Sequence, residues 1–249
     1  MIHFTLDNCS IEIGNIENGS FQELVSSTYL NSKKIIIVDE NTHDSCLEYL
    51  ITTFPNLEDA EVMLLPAGEE NKVMEVCFQV WQALSEYNIS RSDLIINLGG
   101  GLVTDVGGFI ASVFKRGVSF IHVPTSLLGM VDASIGGKTG INLGSLKNEL
   151  GVFNHPKAIF IDSRFLHTLP NQELINGFAE IIKHSLVAKK DLWDVLKTID
   201  PAELLTYPDL TNLSAISSGI KIQIVDEDPL EKGIRKVLNF GHTIGHGIE

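Results

Sequence analysis

The stretch LIINLGGGLVTDVGGF (94–109) decides the fold, because it joins a short apolar run to three successive glycines and then to a helical pattern. The run predicts a buried strand, and the spacing after the glycines predicts a helix over 102–115. Glycine lets the backbone approach a ligand closely, and the amino end of the helix offers free N–H groups to a phosphate. Asp105 falls inside this helix, where its carboxylate reaches ribose hydroxyls or amide groups. The spacing is not G-x-G-x-x-G, so a tight turn without a ligand stays open as the alternative.

Similar β-branched runs lie on both sides of this unit. They predict strands at KKIIIV (33–38), EVMLL (61–65), DLIINL (93–98), SFIHV (119–123) and AIFID (158–162). Helical spacing over 42–54 and 70–89 separates the first three of these runs. The alternation predicts an α/β fold, Rossmann-like, with a mostly parallel sheet and helices on both of its faces.

The pattern changes after about residue 170, where the strands stop. Helical spacing covers 171–198, 211–227 and 234–249. We therefore predict an α/β domain over 1–165 and an incomplete, all-helical second domain over 166–249. The last helical pattern runs to Glu249 without a C-cap, so we expect the chain to stop inside a helix.

Polar residues follow two further strands of the predicted sheet. Asp39 and Asn41 follow the strand at 33–38, and Glu69 to Lys72 follow the strand at 61–65. In a parallel sheet, ligands bind at the carboxyl ends of the strands. Three polar strand ends at one edge favour a dinucleotide over an empty turn.

Composition excludes several classes of function. The chain has 249 residues and a net charge of −14, which argues against a general nucleic-acid binder. Three cysteines without C-x-x-C spacing indicate inert thiols in a reducing compartment. The amino-terminal residues alternate like a strand and lack a signal-peptide pattern, and no apolar run reaches membrane-spanning length. We expect a cytoplasmic protein with no membrane partner.

The segment 123–151 is rich in glycine and serine yet too apolar for a linker. Its notable polar residues are Asp132, Lys138, Lys147 and Asn148. An anion site and a solvated loop with scattered lysines both fit this spacing. The GGKT sequence (136–139) within it resembles the end of a P-loop. That motif needs a glycine five positions before Gly137, but Asp132 occupies this position, so the nucleotide-triphosphatase interpretation fails.

Two segments of the second half carry candidate metal ligands. NGFAEIIKHSL (176–186) places Glu180, Lys183 and His184 on one side of a helix, where the glutamate is either a metal ligand or half of an ion pair with the lysine. In the last segment, four polar residues recur at helical spacing and predict one helix face: Arg235, Asn239, His242 and His246. The spacing leaves open whether one or both histidines bind metal.

Together these segments resemble the 3-dehydroquinate synthase family of sugar-phosphate cyclases. The matching motifs are PAGEENK (66–72), GGGLVTDVGGF (99–109), FKRG (114–117), VPTSLLGMVDASIGGKTGINLGSLKN (123–148), FLHTLP (165–170), GFAEIIKHSL (177–186) and LNFGHTIGHGIE (238–249). They span nearly the whole chain, and the segment 123–148 is the most specific of them.

The resemblance implies roles for individual residues. NAD is expected to contact Asp39, Asn41, Glu69, Lys72, Gly99, Gly100, Gly101, Asp105, Thr125, Ser126, Lys138, Lys147, Phe165 and Thr168. A divalent metal, zinc with cobalt as the alternative, is expected at Glu180 and His242. The substrate's carboxylate, hydroxyls and phosphate are expected to meet Asp132, Lys138, Asn148, Lys183, Lys221, Arg235, Asn239 and His246. Arg116 resembles a residue that reaches the neighbouring subunit's site, which implies a homodimer.

The implied activity is a lyase reaction of the shikimate pathway to aromatic amino acids. It converts the anionic sugar-acid phosphate 3-deoxy-D-arabino-heptulosonate 7-phosphate to 3-dehydroquinate and phosphate, with transient oxidation by NAD. Three alternatives stay open: a 2-deoxy-scyllo-inosose synthase type of cyclase, a metal-dependent oxidoreductase of the glycerol dehydrogenase type, and a non-catalytic NAD-binding module. The presence of both Lys221 and Arg235 favours a substrate that carries a carboxylate.

One departure concerns the metal. In the family a third ligating histidine follows in an LHGE-like motif downstream of HTxGH, and the sequence ends before that point. A catalytic zinc site normally has three protein ligands and one open position. We therefore expect an incomplete metal site and little activity from these residues alone.

Overall fold

The isoleucine-rich runs of the sequence form the central sheet. The computed structural model describes residues 1–241. The strands in this part of the chain are β1 (Ile2–Leu6), β2 (Cys9–Ile13), β3 (Lys34–Asp39), β4 (Glu61–Leu65), β5 (Leu94–Gly99), β6 (Ser119–Pro124), β7 (Lys138–Leu143), β8 (Leu146–Phe153) and β9 (Ala158–Ile161).

Seven strands form one sheet in the order β1-β2-β9-β6-β5-β3-β4. Every neighbouring pair in it is parallel except β1 with β2, which join as an antiparallel hairpin. The predicted mostly parallel α/β fold is confirmed. The carboxyl ends of β6, β5, β3 and β4 therefore lie side by side, as a ligand site at this edge requires.

Helices cover both faces of the sheet. The longer ones are α1 (Met74–Glu86), α2 (Gly101–Val113), α3 (Asn171–Ala188), α4 (Lys190–Leu196) and α5 (Leu210–Glu227). Shorter helical segments lie at Ile16–Asn18, Phe21–Glu23, Leu24–Thr28, Glu40–Thr42, His43–Leu47, Glu48–Thr53, Pro55–Leu57, Glu69–Asn71, Phe114–Arg116, Gly129–Ala133, Ser163–Thr168, Pro201–Thr206 and Ile234–Asn239. Across residues 1–241, none of these helices is both long enough and apolar enough to cross a membrane.

Alternate side chains of the central strands enter two different cores. Ile35 and Ile37 of β3 face α1 and α2, whereas Ile36 and Val38 face the opposite layer. Both sets are fully buried, which explains why this strand is a continuous apolar run rather than an alternating one. The core that contains Ile36 and Val38 continues into α3, α4 and α5, so the helical half packs on one face of the sheet.

Two predicted helices of the second half differ from the structure. The helix predicted over 171–198 is broken at Lys189, whose extended backbone (φ −148°, ψ 89°) turns α4 so that Leu192 and Leu196 enter the core. The helix predicted from 234 onward is wrong over the described residues, which form only the short 3-10 segment Ile234–Asn239. Gly241 adopts φ 86°, which lies outside the right-handed helical region.

Candidate functional site

The carboxyl ends of β5 and β6 meet at the glycine turn. The backbone N–H of Thr125 donates to the carbonyl of Gly99 at 3.0 Å, which ties the two strand ends together. A Cβ on Gly100 would lie 3.2 Å from the hydroxyl oxygen of Ser126, tighter than ordinary contact. The turn therefore brings Gly99–Gly101 and Thr125–Ser126 together, and the first N–H groups of α2 point out of the sheet edge.

The end of β3 adds a capped helical turn to this edge. Asp39 accepts hydrogen bonds from the backbone N–H of Thr42 at 2.8 Å and from its hydroxyl at 2.7 Å, so one carboxylate oxygen caps the next helix. Asn41 is exposed within that turn. Both residues lie at the predicted edge, beside the glycine turn.

The segment after β9 places Phe165 and Thr168 near the same layer. The Phe165 ring is buried and lies 5.4 Å from the Tyr49 ring, between centroids. The Thr168 hydroxyl donates to the carbonyl of Phe165 at 2.9 Å. Phe165 therefore has a packing role here, while Thr168 is exposed.

Lys72 and Asp105, both predicted to contact NAD, contact each other beneath the glycine turn. The buried Lys72 ammonium donates to Asp105 Oδ2 at 2.7 Å and to Asn148 Oδ1 at 2.5 Å, and it lies 3.9 Å from Glu69 Oε1. Burial raises the pKa of the Asp105 carboxyl above its ordinary value, although the Lys72 ammonium acts in the opposite direction. Four predicted ligand-binding residues thus form one network.

The segment between β6 and β9 contains a hairpin, β7–β8, that the sequence did not predict. Lys138 is the first residue of β7, and Lys147 and Asn148 lie on β8, with Asn148 at φ 55°. The backbone N–H of Asn142 in β7 donates to the carbonyl of Lys72 at 2.7 Å. The hairpin, rather than a loop, therefore carries these polar residues to the sheet edge.

Asp132 begins a second group of charges, on the helical turn after β6. The ammonium of Lys221, from α5, donates to Asp132 Oδ1 at 2.7 Å and to the Asp132 carbonyl at 2.6 Å. Burial raises the pKa of the Asp132 carboxyl, but the Lys221 ammonium, the nearby His184 ring and the charge of Lys183 outweigh it and hold this pKa well below its usual range. Asp132 is a carboxylate near neutral pH.

Helix α3 completes this group with Glu180, Lys183 and His184. Lys183 forms an ion pair with Glu180 Oε2 and is buried. The His184 ring is fully buried, with Nδ1 2.8 Å from the Ser217 hydroxyl and Nε2 3.7 Å from Asp132 Oδ1. We call Asp132, Glu180, Lys183, His184 and Lys221 the buried charge cluster.

A glycine sets the position of α3 against the Asp132 turn. A Cβ on Gly177 would lie 2.5 Å from both the Leu127 Cβ and the backbone nitrogen of Leu128, which real contacts do not reach. Only glycine allows the helix to lie this close. Gly177 therefore determines how near Glu180 and His184 come to Asp132.

Arg235 lies beside the cluster and is buried. Its guanidinium donates to the carbonyl of Pro229 at 2.6 Å and to that of Gly136 at 3.0 Å, where Gly136 has φ 106°. Its backbone N–H, with those of Lys232 and Gly233, donates to the Asp228 carboxylate. These bonds replace the first turn of the predicted helix with a compact acidic turn.

Glu231 connects two predicted substrate-binding residues. It forms an ion pair with Lys138 and accepts a hydrogen bond from the Asn239 side chain at 2.6 Å. Burial and the charges of Arg235 and Lys221 lower the pKa of Lys138 to about 8, and the charges of Asp132 and Asp105 oppose that shift. Sequence reasoning missed Glu231 and Asp228, although the acidic stretch DEDPLEKG (226–233) was an available signal.

One predicted residue stands apart from this site, and two others lie outside the described residues. Arg116 lies beyond the carboxyl end of α2, at the opposite edge of the sheet, so its role toward a neighbouring subunit stays a prediction. His242 and His246 lie outside the described residues 1–241. The prediction that His242 binds metal is therefore untested by the structure.

The cluster has the donors that a divalent cation needs. Asp132, Glu180 and His184 each offer a ligand atom within 4.8 Å of the others. His184 Nε2 is buried and makes no hydrogen bond within the part of the chain that the structure describes, while Nδ1 is held by Ser217. A held second nitrogen is the usual arrangement of a metal-binding histidine. The residues fit a divalent metal, with Glu180 at the predicted place.

The sequence of the chain matches two consecutive family models. Residues 62–176 match the model described as 3-dehydroquinate synthase N-terminal, and residues 177–249 match the model described as 3-dehydroquinate synthase C-terminal. The chain belongs to the 3-dehydroquinate synthase family. This confirms the resemblance stated on its motifs.

A named relative gives the extent of this match. The 3-dehydroquinate synthase of Parabacteroides distasonis is 43% identical over 228 residues, which cover 92% of this chain and 64% of the relative. The chain thus spans slightly less than two thirds of the length of this curated relative.

Solved structures of two other cyclases share the fold. The 2-epi-5-epi-valiolone synthase of Streptomyces hygroscopicus, with NAD+ and Zn2+ bound, is 27% identical at a TM-score of 0.84 and covers 100% of this chain and 69% of that chain. A 2-deoxy-scyllo-inosose synthase complexed with carbaglucose-6-phosphate, NAD+ and Co2+ is 26% identical at a TM-score of 0.82, covering 99% of this chain and 70% of that chain. The sugar-phosphate cyclase fold predicted from the motifs is confirmed.

Proposed function

We propose that the protein is a 3-dehydroquinate synthase, which converts 3-deoxy-D-arabino-heptulosonate 7-phosphate to 3-dehydroquinate and phosphate. One observation supports this most strongly. In a chain with a net charge of −14, four cationic side chains, Lys138, Lys183, Lys221 and Arg235, lie within electrostatic reach of Asp132. Such a concentration suits a substrate with a carboxylate at one end and a phosphate at the other. This makes the enzyme a lyase of the shikimate pathway.

NAD is proposed to bind along the carboxyl edge of the sheet. NAD supplies a hydride acceptor that is regenerated in each cycle. The glycine turn would receive the pyrophosphate at the amino end of α2, and Asp39 and Asp105 would meet hydroxyl groups. The remaining proposed contacts are Asn41, Glu69, Lys72, Thr125, Ser126, Lys138, Lys147, Phe165 and Thr168. Residues 1–165 form this domain in the proposal, and residues 166–249 supply the metal and substrate side.

A divalent metal, zinc or cobalt, is proposed at Glu180 with His242. A bound metal acts as a Lewis acid toward a substrate oxygen. The chain's own part is to fix its ligands: Gly177 brings α3 close to Asp132, and Ser217 holds the His184 ring. The related cyclases with Zn2+ or Co2+ bound support a metal here.

The substrate-binding residues would act by position and charge. Lys221 and Arg235 are proposed to bind the carboxylate, because both are buried and charged. Asp132, Lys138, Asn148, Lys183, Asn239 and His246 are proposed to contact the hydroxyls and the phosphate. A dimer in the cytoplasm is part of the proposal, with Arg116 directed to the neighbouring subunit.

The test is an assay of phosphate release and 3-dehydroquinate formation with catalytic NAD and zinc. We propose that residues 1–249 alone turn over little substrate. The same residues extended after Glu249 by the carboxyl-terminal segment of the Parabacteroides distasonis relative should form both products without accumulating NADH. Net NADH would indicate a dehydrogenase instead, and turnover only of a hexose phosphate without a carboxylate would indicate an inosose-type cyclase. Full turnover by residues 1–249 would place a third metal ligand within them, with His184 and His246 the first to mutate.

A further inference from the structure

The buried charge cluster is electrically neutral without a metal. Its two carboxylates, Asp132 and Glu180, face two ammonium groups, Lys183 and Lys221. Both lysines are nearly inaccessible, at 7% and 6% exposure. The carboxylate side chains are 23% and 16% exposed, so they are only partly solvated, and the two lysines stabilise them at this close approach.

The lysines contact the oxygen atoms that a cation would use. Lys221 Nζ lies 2.7 Å from Asp132 Oδ1, and Lys183 pairs with Glu180 Oε2. Asp132, Glu180 and His184 are also the residues whose donor atoms converge within 4.8 Å. An ammonium group and a divalent cation therefore compete for the same carboxylates.

We propose that a divalent cation at the cluster releases Lys183 and Lys221 from the carboxylates and so prepares them to bind an anion, which makes cation and anion binding mutually favourable. The charge balance supports this. The two carboxylates and two ammonium groups sum to zero, a divalent cation raises the sum to +2, and a dianionic phosphate returns it to zero. The inference rests on the proposed function, because it takes Glu180 as a metal ligand.

A second lysine–carboxylate pair with i, i+3 spacing, Lys197 with Asp194, shows how the Glu180–Lys183 pair differs from an ordinary ion pair on a helix surface. Lys197 and Asp194 are also three residues apart and 2.6 Å from each other, but their side chains are 53% and 52% exposed. Such pairs are solvated and contribute little. The Lys183 and Glu180 side chains are only 7% and 16% exposed. They lie beside a second carboxylate and His184 Nε2, which makes no hydrogen bond to any described residue, so their pairing has to respond to any cation that enters.

The experiment is a calorimetric titration of the protein with Co2+, with and without inorganic phosphate at matched ionic strength. We expect Co2+ to bind roughly tenfold more tightly with phosphate, within the usual range of coupling between two sites. Linkage requires that Co2+ tighten phosphate binding by the same factor. This comparison uses the unmodified chain, so it does not depend on a variant that folds.

The same titrations are repeated with the Lys183→Met variant. Without the competing ammonium, the variant should bind Co2+ more tightly than the wild type in the absence of phosphate and should lose most of the phosphate effect. Lys197→Met is the matched control and should behave as the wild type. Thermal unfolding of each variant verifies that it is folded.

The outcomes separate this inference from the proposed function. Equal Co2+ affinity with and without phosphate would overturn the coupling and leave the metal site intact. A Lys183→Met variant with undiminished coupling would overturn it as well. Failure of residues 1–249 to bind Co2+ under either condition would overturn the coupling, whereas the metal site of the proposed function is tested on the chain extended after Glu249, so the two failures are distinguishable.

Discussion

Two regions of the molecule pair ammonium groups with carboxylates: the Lys72–Asp105 pair near the glycine turn and the buried charge cluster at α3. The pKa values of their carboxyl groups are shifted in opposite directions. Asp105 has one lysine and an asparagine nearby, and burial raises its pKa. Burial acts on the Asp132 carboxyl in the same direction, yet Lys221, His184 and Lys183 together hold its pKa well below its usual range.

This difference matches the ligands proposed for the two regions. A carboxyl group whose ionised form is only partly compensated is suited to hydrogen bonds with neutral hydroxyls, such as those of a ribose. A carboxylate that stays ionised is suited to a cation. The number of surrounding charges, rather than burial alone, separates a cofactor contact from a metal-binding region.

The largest expected effect is on stability, from Lys221→Met. The substitution keeps the apolar stem but leaves the partly buried Asp132 carboxylate without its closest counter-charge. We expect the free energy of unfolding to fall by about 3–5 kcal/mol, measured by urea denaturation. Lys197→Met, which breaks an exposed pair, should change it by less than about 0.5 kcal/mol. A Lys221→Met variant as stable as its control would show that charge does not hold the cluster together.

Lys72→Met should cost less than Lys221→Met. Asp105 takes up a proton more readily than Asp132, so the loss of its lysine leaves a neutral carboxyl rather than a buried charge. We expect a loss of about 1–3 kcal/mol, as for an unsatisfied buried polar group, in the same denaturation experiment. The reverse order of the two variants would contradict the comparison.

An effect that is small near neutral pH comes from His122 in β6 and must be separated from that of the carboxylates. Burial lowers its pKa to about 3 from an ordinary value of 6.5, and Asn97 Nδ2 lies 3.2 Å from its Nδ1. The unfolded chain therefore binds a proton that the folded chain does not, and stability should fall as pH drops from 6.5 toward 3, by up to about 1.4 kcal/mol per pH unit.

His122→Gln keeps a hydrogen-bond acceptor for Asn97 but does not titrate. Denaturation curves between the two pKa values should show a shallower pH dependence for the variant than for the wild type. Identical slopes would remove His122 as the source. The depressed pKa of Asp132 acts in a different window, below 3.8, where stability is lost as pH falls through its folded value.

The sheet could be predicted from the sequence because its strands are distinctive. Runs such as KIIIVD (34–39) have apolar residues on both faces, and the glycine turn marks where β5 ends and α2 begins. The hairpin β7–β8 was missed because β8 is exposed along nearly its whole length and shows no apolar alternation. A strand that buries neither face leaves little pattern to find.

The sequence predicted which residues belong to the candidate site but not which of them contact one another. The Glu180–Lys183 pair follows from helical spacing, and the structure favours the ion pair that the sequence left open. Lys221 and Asp132 are 89 positions apart, so only the packing of α5 against the turn after β6 brings them together. Their roles came from the family resemblance. The Asp228 turn and Gly241 show why a periodic pattern alone mispredicted the structure of the described residues 234–241.

The central claim is that the carboxyl edge of the sheet binds NAD through the network under the glycine turn. Calorimetric titration of the wild type and Asp105→Ala with NAD tests it most directly, with circular dichroism to verify the fold. We predict that the wild type binds NAD and that the variant binds it at least about tenfold more weakly, a loss of about 1.4 kcal/mol. Equal affinity in a folded variant, or no binding by the wild type, would contradict the account.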